Sequence, residues 1–114
     1  MLSTQLTSNQ INYEIHIMWN YNYFVYITTN PDKTVLYTGV TNDIRRRMSQ
    51  HHENRGKWLT FAGRYFCYNL IWYEHFHDIK AAIIREKEIK GWRREKKEVL
   101  IAKTNPKWDT IYPG

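Results

Sequence analysis

Between Tyr37 and His52 the chain reads Y-T-G-V-T-N-D-I-R-R-R-M-S-Q-H-H. That order demands a strand, a turn and a helix in immediate succession. Val35, Leu36 and Tyr37 suit a strand, because branched and aromatic side chains pack well on a pleated surface. Gly39 suits a sharp exit, since it tolerates backbone angles that other residues resist. Asn42 or Asp43 can accept from the free N–H groups of a first helical turn, and the helix is expected to run to about Glu53. At roughly 100° per residue, Ile44 and Met48 mark the inward face. Arg47 and His51, four residues apart, lie beside them. Arg46 and Ser49 point the other way. One arginine and one histidine are thus held against the body of the domain. The competing reading is a solvated basic helix with Arg47 snorkelling at its edge.

The rest of the chain must supply what this unit packs on. A length of 114 residues favours one domain with a core of its own: residues 1–20 as an N-terminal extension without an assigned role, 21–114 as the domain. Tyr21 to Thr29 is the strongest strand in the sequence. Asn30-Pro31-Asp32-Lys33 has turn chemistry, and Thr34 to Thr38 is predicted to pair back. Tyr26 and Tyr37 would then meet on adjacent strands. Residues 54–66 read as a loop or short helix, and Tyr68 to Phe76 as a third strand. His75 and His77 alternate like a metal pair, but no Cys or His cluster at zinc spacing accompanies them.

Asp78 caps a helix expected to run to about Arg94. Ile79, Ala82, Ile83 and Ile89 define its apolar arc, and Glu86 falls in the middle of it. A carboxylate aimed at a core is costly unless it is paired or binds a metal. Glu86 is therefore either half of a buried ion pair, with Arg47 the candidate partner, or part of a site. Gly91-Trp92 marks a bend. Arg93 to Lys103 continues as a basic helix, Asn105-Pro106 ends it, and Trp108 is expected to dock back. The predicted class is α+β: a small three-stranded antiparallel sheet flanked by helices.

Charge narrows the partners. Lys and Arg number 17 against 11 acidic residues, a net charge of +6, and aromatic residues make up 16%. A basic surface with interleaved Trp and Tyr suits nucleic acid. Arg45, Arg46, Arg93, Arg94, Lys96 and Lys97 are the candidate backbone contacts. A lone Cys67 leaves no internal disulfide and fits a reducing compartment. With no apolar run of spanning length and no signal-peptide pattern, the cytoplasm is expected and a membrane is not.

The motifs in order resemble the GIY-YIG nuclease family. A strand ends in F-V-Y, Y-T-G follows with its tyrosine eleven residues later, and an arginine stands ten residues after that. The helix A-I-I-R-E-K-E-I-K-G-W is similar to the family's acidic motif. The resemblance covers about residues 20–108 and extends to small standalone bacterial members, which are similar to the N-terminal nuclease module of the excinuclease. It implies that Tyr26 and Tyr37 are the two motif tyrosines, with Gly39 the glycine that follows. Arg47 and His51 match the helix residues, Glu86 the metal-binding glutamate, and Asn105 a C-terminal asparagine on the nucleic-acid side. Three positions depart: Phe24 replaces the first glycine, Thr38 the second isoleucine, and Val40 stands where excinuclease-type members carry a lysine.

The activity implied is hydrolysis of a DNA phosphodiester, in repair or recombination, with one divalent ion, Mg²⁺ or Mn²⁺, on Glu86. Arg47 would neutralise phosphoryl charge. Tyr26 or Tyr37 would take the proton of the attacking water, with help from a cation or His51. So small a domain has little surface for reading sequence, so a branched or damaged DNA, or a protein partner for targeting, is expected to direct it. The alternative is a nucleic-acid-binding module that keeps the fold without turnover.

Overall fold

The computed structural model describes residues 22–113. Three strands form one antiparallel sheet in the order β2-β1-β3: β1 Tyr23–Thr29, β2 Leu36–Thr41 and β3 Asn69–Phe76. Among the described residues four helices accompany them: α1 Ile44–Glu53, α2 Phe61–Arg64, α3 Ile79–Lys90 and α4 Arg94–Ala102. The expectations for residues 1–20, and for Tyr21 in the first strand, lie outside the described residues.

Asn30 ties the first hairpin. Its Oδ1 accepts from the backbone N–H of Thr34 at 2.8 Å and of Val35 at 2.9 Å, and its carbonyl accepts from the Lys33 N–H at 2.9 Å, so side chain and backbone close the turn together. β2 then starts two residues later than expected and runs on through Gly39 to Thr41. Gly39 is thus inside a strand, without the positive φ of an exit turn.

Central strand β1 is paired on both edges, so its side chains alternate between two covered faces. Val25 and Ile27 face one core with Ile71, Trp72, Ala82, Ile89 and Ile101, sealed by the partly buried Trp92, Leu100 and Trp108. This face carries α3 and α4. Tyr26 faces the other side with Leu70 and Ile44, flanked by Phe24, Tyr37, Met48 and Ile111, under α1. Each fully buried Ile or Val contributes about 1.5–3 kcal/mol relative to exposure. The sheet is therefore held mainly from the α3–α4 side, and the tyrosine face rests on a smaller cluster.

Two helix boundaries differ from the sequence reading. α3 stops at Lys90, not near Arg94, and α4 is a separate helix entered at Arg93 without a side-chain cap. The expected apolar arc is also displaced: Ile79 is 41% exposed and Ile83 37%. The stripe that packs is Ala82 and Ile89, with Arg85 and Glu86 half-buried between them.

Beyond α4 the chain is clasped by Asn105. Its Nδ2 donates to the Ile71 carbonyl at 2.9 Å and the Asp109 carbonyl at 2.8 Å, and its Oδ1 accepts from the Asp109 N–H. The Ile111 N–H adds a bond to the Leu70 carbonyl. Among the described residues, no helix is long and apolar enough to cross a membrane.

Candidate active site

Asp43 caps α1, its carboxylate accepting from the Arg46 N–H at 3.0 Å. Buried Ile44 and half-buried Met48 anchor the helix on the tyrosine face. This places Arg47 and His51, one turn apart, over β1. His51 Nε2 lies 2.8 Å from the Tyr26 hydroxyl. Tyr26 is 0% exposed and pairs in register with Gly39. A Cβ on Gly39 would sit 2.4 Å from the Tyr26 oxygen and 2.5 Å from Cζ. Gly39 is therefore required by close approach, not by turn geometry: any side chain there would occupy the space of the phenol.

The surroundings fix the protonation states of this pair. Burial, and secondarily Tyr37, raise the Tyr26 pKa well above the usual phenol value, although Arg47 pulls against them. Burial, with the Arg47 charge, pushes His51 down to about 4 from 6.5. At neutral pH the phenol thus holds its proton and the imidazole is neutral. Arg47 and Tyr37 also lie within hydrogen-bonding reach of the phenol oxygen, and a neutral imidazole with its proton on Nδ1 can accept the Tyr26 O–H at Nε2.

The second half comes from α3. The Glu86 side chain is 12% exposed, and its Oε2 pairs with Lys90 Nζ at 2.6 Å. This corrects the sequence reading of Arg47 as the ion-pair partner: the cation is one turn along the same helix. Lys90 Nζ also stands 6.0 Å from the centroid of the Tyr37 ring. Tyr37, on edge strand β2, joins the two halves. Its ring centroid is 6.2 Å from that of Tyr26 and 5.5 Å from that of His51. Phe61 of α2 stacks on its remaining side at 6.1 Å and 24°. Arg47 and Glu86 thus form no ion pair with each other: Arg47 lies by the Tyr26 phenol, and Lys90, the partner of Glu86, stands by the Tyr37 ring.

Lys90 and Phe61 are absent from the sequence candidates. Lys90 carries a signal, the i, i+4 spacing from Glu86. Phe61 carries none, because its contact with Tyr37 depends on how residues 54–66 fold back. Val40, where the resemblance leads one to look for a lysine, packs against the α3–α4 core, and the cation beside Tyr37 is Lys90. Among the described residues, no three His, Cys, Asp or Glu groups gather in a metal-binding cluster. Glu86 alone suits a hard ion that keeps most of its waters and takes further oxygens from a phosphate.

The remaining sequence candidates divide. Arg93 is exposed and Lys97 half-buried. Lys96 lies 4.4 Å from the Trp92 ring. Arg45 donates to the Pro113 carbonyl and Arg46 to Asn42. Arg94 donates to the Thr34 carbonyl at 2.6 Å, pairs with Glu98 and lies over Trp108, so it braces the hairpin. Asn105 is 9% exposed and both its N–H donors are taken by backbone carbonyls. Its surroundings assign it to the clasp rather than to a nucleic acid. His75 bonds Asn22 at 2.7 Å and stands edge-on to His77. A groove of about 580 Å³ lies elsewhere, beside Ser49, His52, Tyr68, Leu70, Ile111 and Tyr112. The tyrosine cluster is not at its floor, and a protruding phosphate backbone needs no deep cavity to reach such a cluster.

Residues 22–98 match the family model described as the GIY-YIG catalytic domain. A UPF0213 protein of Haloquadratum walsbyi is 41% identical over 78 residues, 68% of this chain and 84% of that protein. One from Natronomonas pharaonis is 40% identical over 81 residues, covering 71% and 92%. The solution NMR structure of a UPF0213 protein from Bacillus halodurans is 30% identical, covers 77% of this chain and 90% of that one, and has a TM-score of 0.49. The names of these three relatives state no activity.

Proposed function

The chain belongs to the GIY-YIG nuclease family, and from that premise we propose that it is a divalent-metal-dependent DNA endonuclease with Tyr26, Tyr37, Arg47, His51 and Glu86 as its site. The observation that carries this reading is the joint placement of the five. Arg47 and His51 meet Tyr26 from α1, while Lys90, the ion-pair partner of Glu86, lies beside Tyr37 from α3.

The Tyr26–His51 pair handles the proton. His51 is neutral at working pH because its pKa is near 4. Tyr26 receives a proton from the attacking water as it passes its own to Nε2, so a phenolate, disfavoured by burial, never accumulates. The Tyr26 ring is sealed from solvent; drawing the Arg47 fork onto a phosphate opens its hydroxyl to that water. Arg47 then neutralises charge growing on the phosphoryl oxygens. Tyr37, half-buried at the edge strand, orients the water. Glu86 would hold Mg²⁺ or Mn²⁺, which supplies Lewis-acid stabilisation of the leaving oxygen when bound. Arg45, Arg46, Arg93, Lys96 and Lys97 supply sequence-independent attraction for the DNA backbone. Residues 21–114 form the nuclease unit, and a branched or damaged DNA, or a protein that recruits it, directs the cut.

The test is nicking of supercoiled plasmid with Mg²⁺ or Mn²⁺. Relaxed product that is lost on chelation supports the reading. Salt-dependent DNA binding without any nicking, under either ion, replaces it with a non-cleaving DNA-binding module.

A further inference from the structure

Glu86 already has a cation, and it belongs to the protein. A carboxylate with only 12% of its side chain exposed requires a compensating charge. Among the described residues, Lys90 is its ion-pair partner, at 2.6 Å. Arg85, the other cation on the packed stripe of α3, is committed to Glu74 and Glu88 and so is not free to replace Lys90. The two members of the pair differ in one respect. Lys90 is 50% exposed on a flexible four-carbon stem, so its ammonium can return to water cheaply, whereas the carboxylate cannot.

We propose that Lys90 is a displaceable counter-ion: it neutralises Glu86 until a divalent ion arrives, then yields the carboxylate and remains as free positive charge beside Tyr37. This rests on the reading of Glu86 as the metal ligand. It adds that metal affinity is set by competition with an internal ammonium, and that metal arrival releases a second cation at the site. The released Nζ starts 6.0 Å from the centroid of the Tyr37 ring. Lys90 positions the carboxylate before the metal arrives and is left as an unpaired cation beside Tyr37 afterwards.

A purely structural salt bridge and an exchangeable one predict opposite signs. If Lys90 only held Glu86 in position, removing it would weaken metal binding. If it competes, removing it tightens metal binding. The measurement is Mn²⁺ binding to the full chain without DNA, by electron paramagnetic resonance and calorimetry. Lys90→Met and Lys90→Gln should each bind Mn²⁺ about two- to fivefold more tightly, the range of a half-exposed ion pair. Lys90→Arg, which keeps the charge, should stay near the wild-type Kd. In nicking assays the Met and Gln variants should nonetheless have a lower kcat at saturating metal, with Arg restoring part of it. An unchanged or weaker Mn²⁺ affinity in both neutral variants overturns the exchange, provided that Glu86→Gln abolishes the site. If Glu86→Gln binds Mn²⁺ as well as wild type, the metal assignment itself fails and this inference with it. The two failures are thus read from different variants.

Discussion

The two helices that furnish the candidate site hold their functional groups in opposite ways. α1 presses His51 and Arg47 onto a phenol that is 0% exposed, over a glycine with no room for a side chain. α3 offers a carboxylate whose partner is half in solvent. Under the proposed function a proton passes between groups already in hydrogen-bond contact, so the α1 half would gain from being packed and dry. A metal ion must enter and leave, so the α3 half gains from a contact that can be exchanged. The shared element is Tyr37, within reach of both.

Substitutions on the two sides should therefore fail differently. The largest effect is expected on the exchangeable side. Glu86→Ala should reduce metal-dependent nicking by about three orders of magnitude or more, as loss of a Lewis-acid site does. Its circular dichroism and melting temperature should stay near wild type. Full activity in that variant would remove the α3 half from the site. Arg47→Ala comes next. Loss of one transition-state donor costs about 10²–10³ in kcat, with a smaller change in KM. A change confined to KM would make Arg47 a docking residue and leave the α1 half without a role in the chemistry.

How far these two halves can be read from the chain alone differs residue by residue. Tyr26 and Tyr37 read from the chain alone as two aromatics packed across a hairpin, and only the family resemblance marks them as site residues. Glu86 stands out as a carboxylate on an apolar arc, and Arg47 and His51 as a pair on one helix face, because helical period is local. The three strands and the hairpin are legible for the same reason. Gly39 stands out for the wrong property. Its place under the Tyr26 ring depends on strand register across a hairpin, and register is a tertiary fact. Ile79 and Ile83 satisfy a helical arc equally well buried or exposed; how α3 rolls on the sheet decides it. Asn105 shows the same limit, since nothing local announces that its amide will clasp the Ile71 and Asp109 carbonyls.

Gly39→Ala tests the packed half by stability. The new methyl must displace the phenol, because its nearest neighbours are the Tyr26 oxygen and ring rather than a flexible tail. Overpacking of this kind costs about 1–3 kcal/mol, measured by urea unfolding. In a Tyr26→Ala background the obstruction is gone and the same change should be nearly neutral. Equal penalties in both backgrounds would mean that Gly39 is required by something other than the ring. On the α3 side the corresponding cost is electrostatic: Lys90→Met removes the counter-charge of a carboxylate that is only 12% exposed, and leaving that group unpaired costs about 1–3 kcal/mol.

The smallest expected effect separates burial from charge within the packed half. His51 has its pKa lowered to about 4 from 6.5 by burial first and Arg47 second. The folded state thus binds this proton less readily than the unfolded chain. The corresponding stability is fully present above about pH 6.5 and declines as the pH falls toward 4. With the ring only partly buried, solvent screening reduces the contribution to about 1–2 kcal/mol. Wild type should lose that much more stability than His51→Gln across this window. Titration of the His51 ring by NMR then apportions the cause. Removing the charge in Arg47→Ala should move the midpoint upward, yet leave it below 6.5, because desolvation is the larger cause. A midpoint that returns fully to 6.5 would mean that Arg47 alone keeps the imidazole neutral. In that event a phosphate drawing Arg47 away would return the imidazole to its ordinary range, where it stays mostly uncharged at neutral pH but is protonated, and lost as an acceptor, as the pH falls below about 6.5.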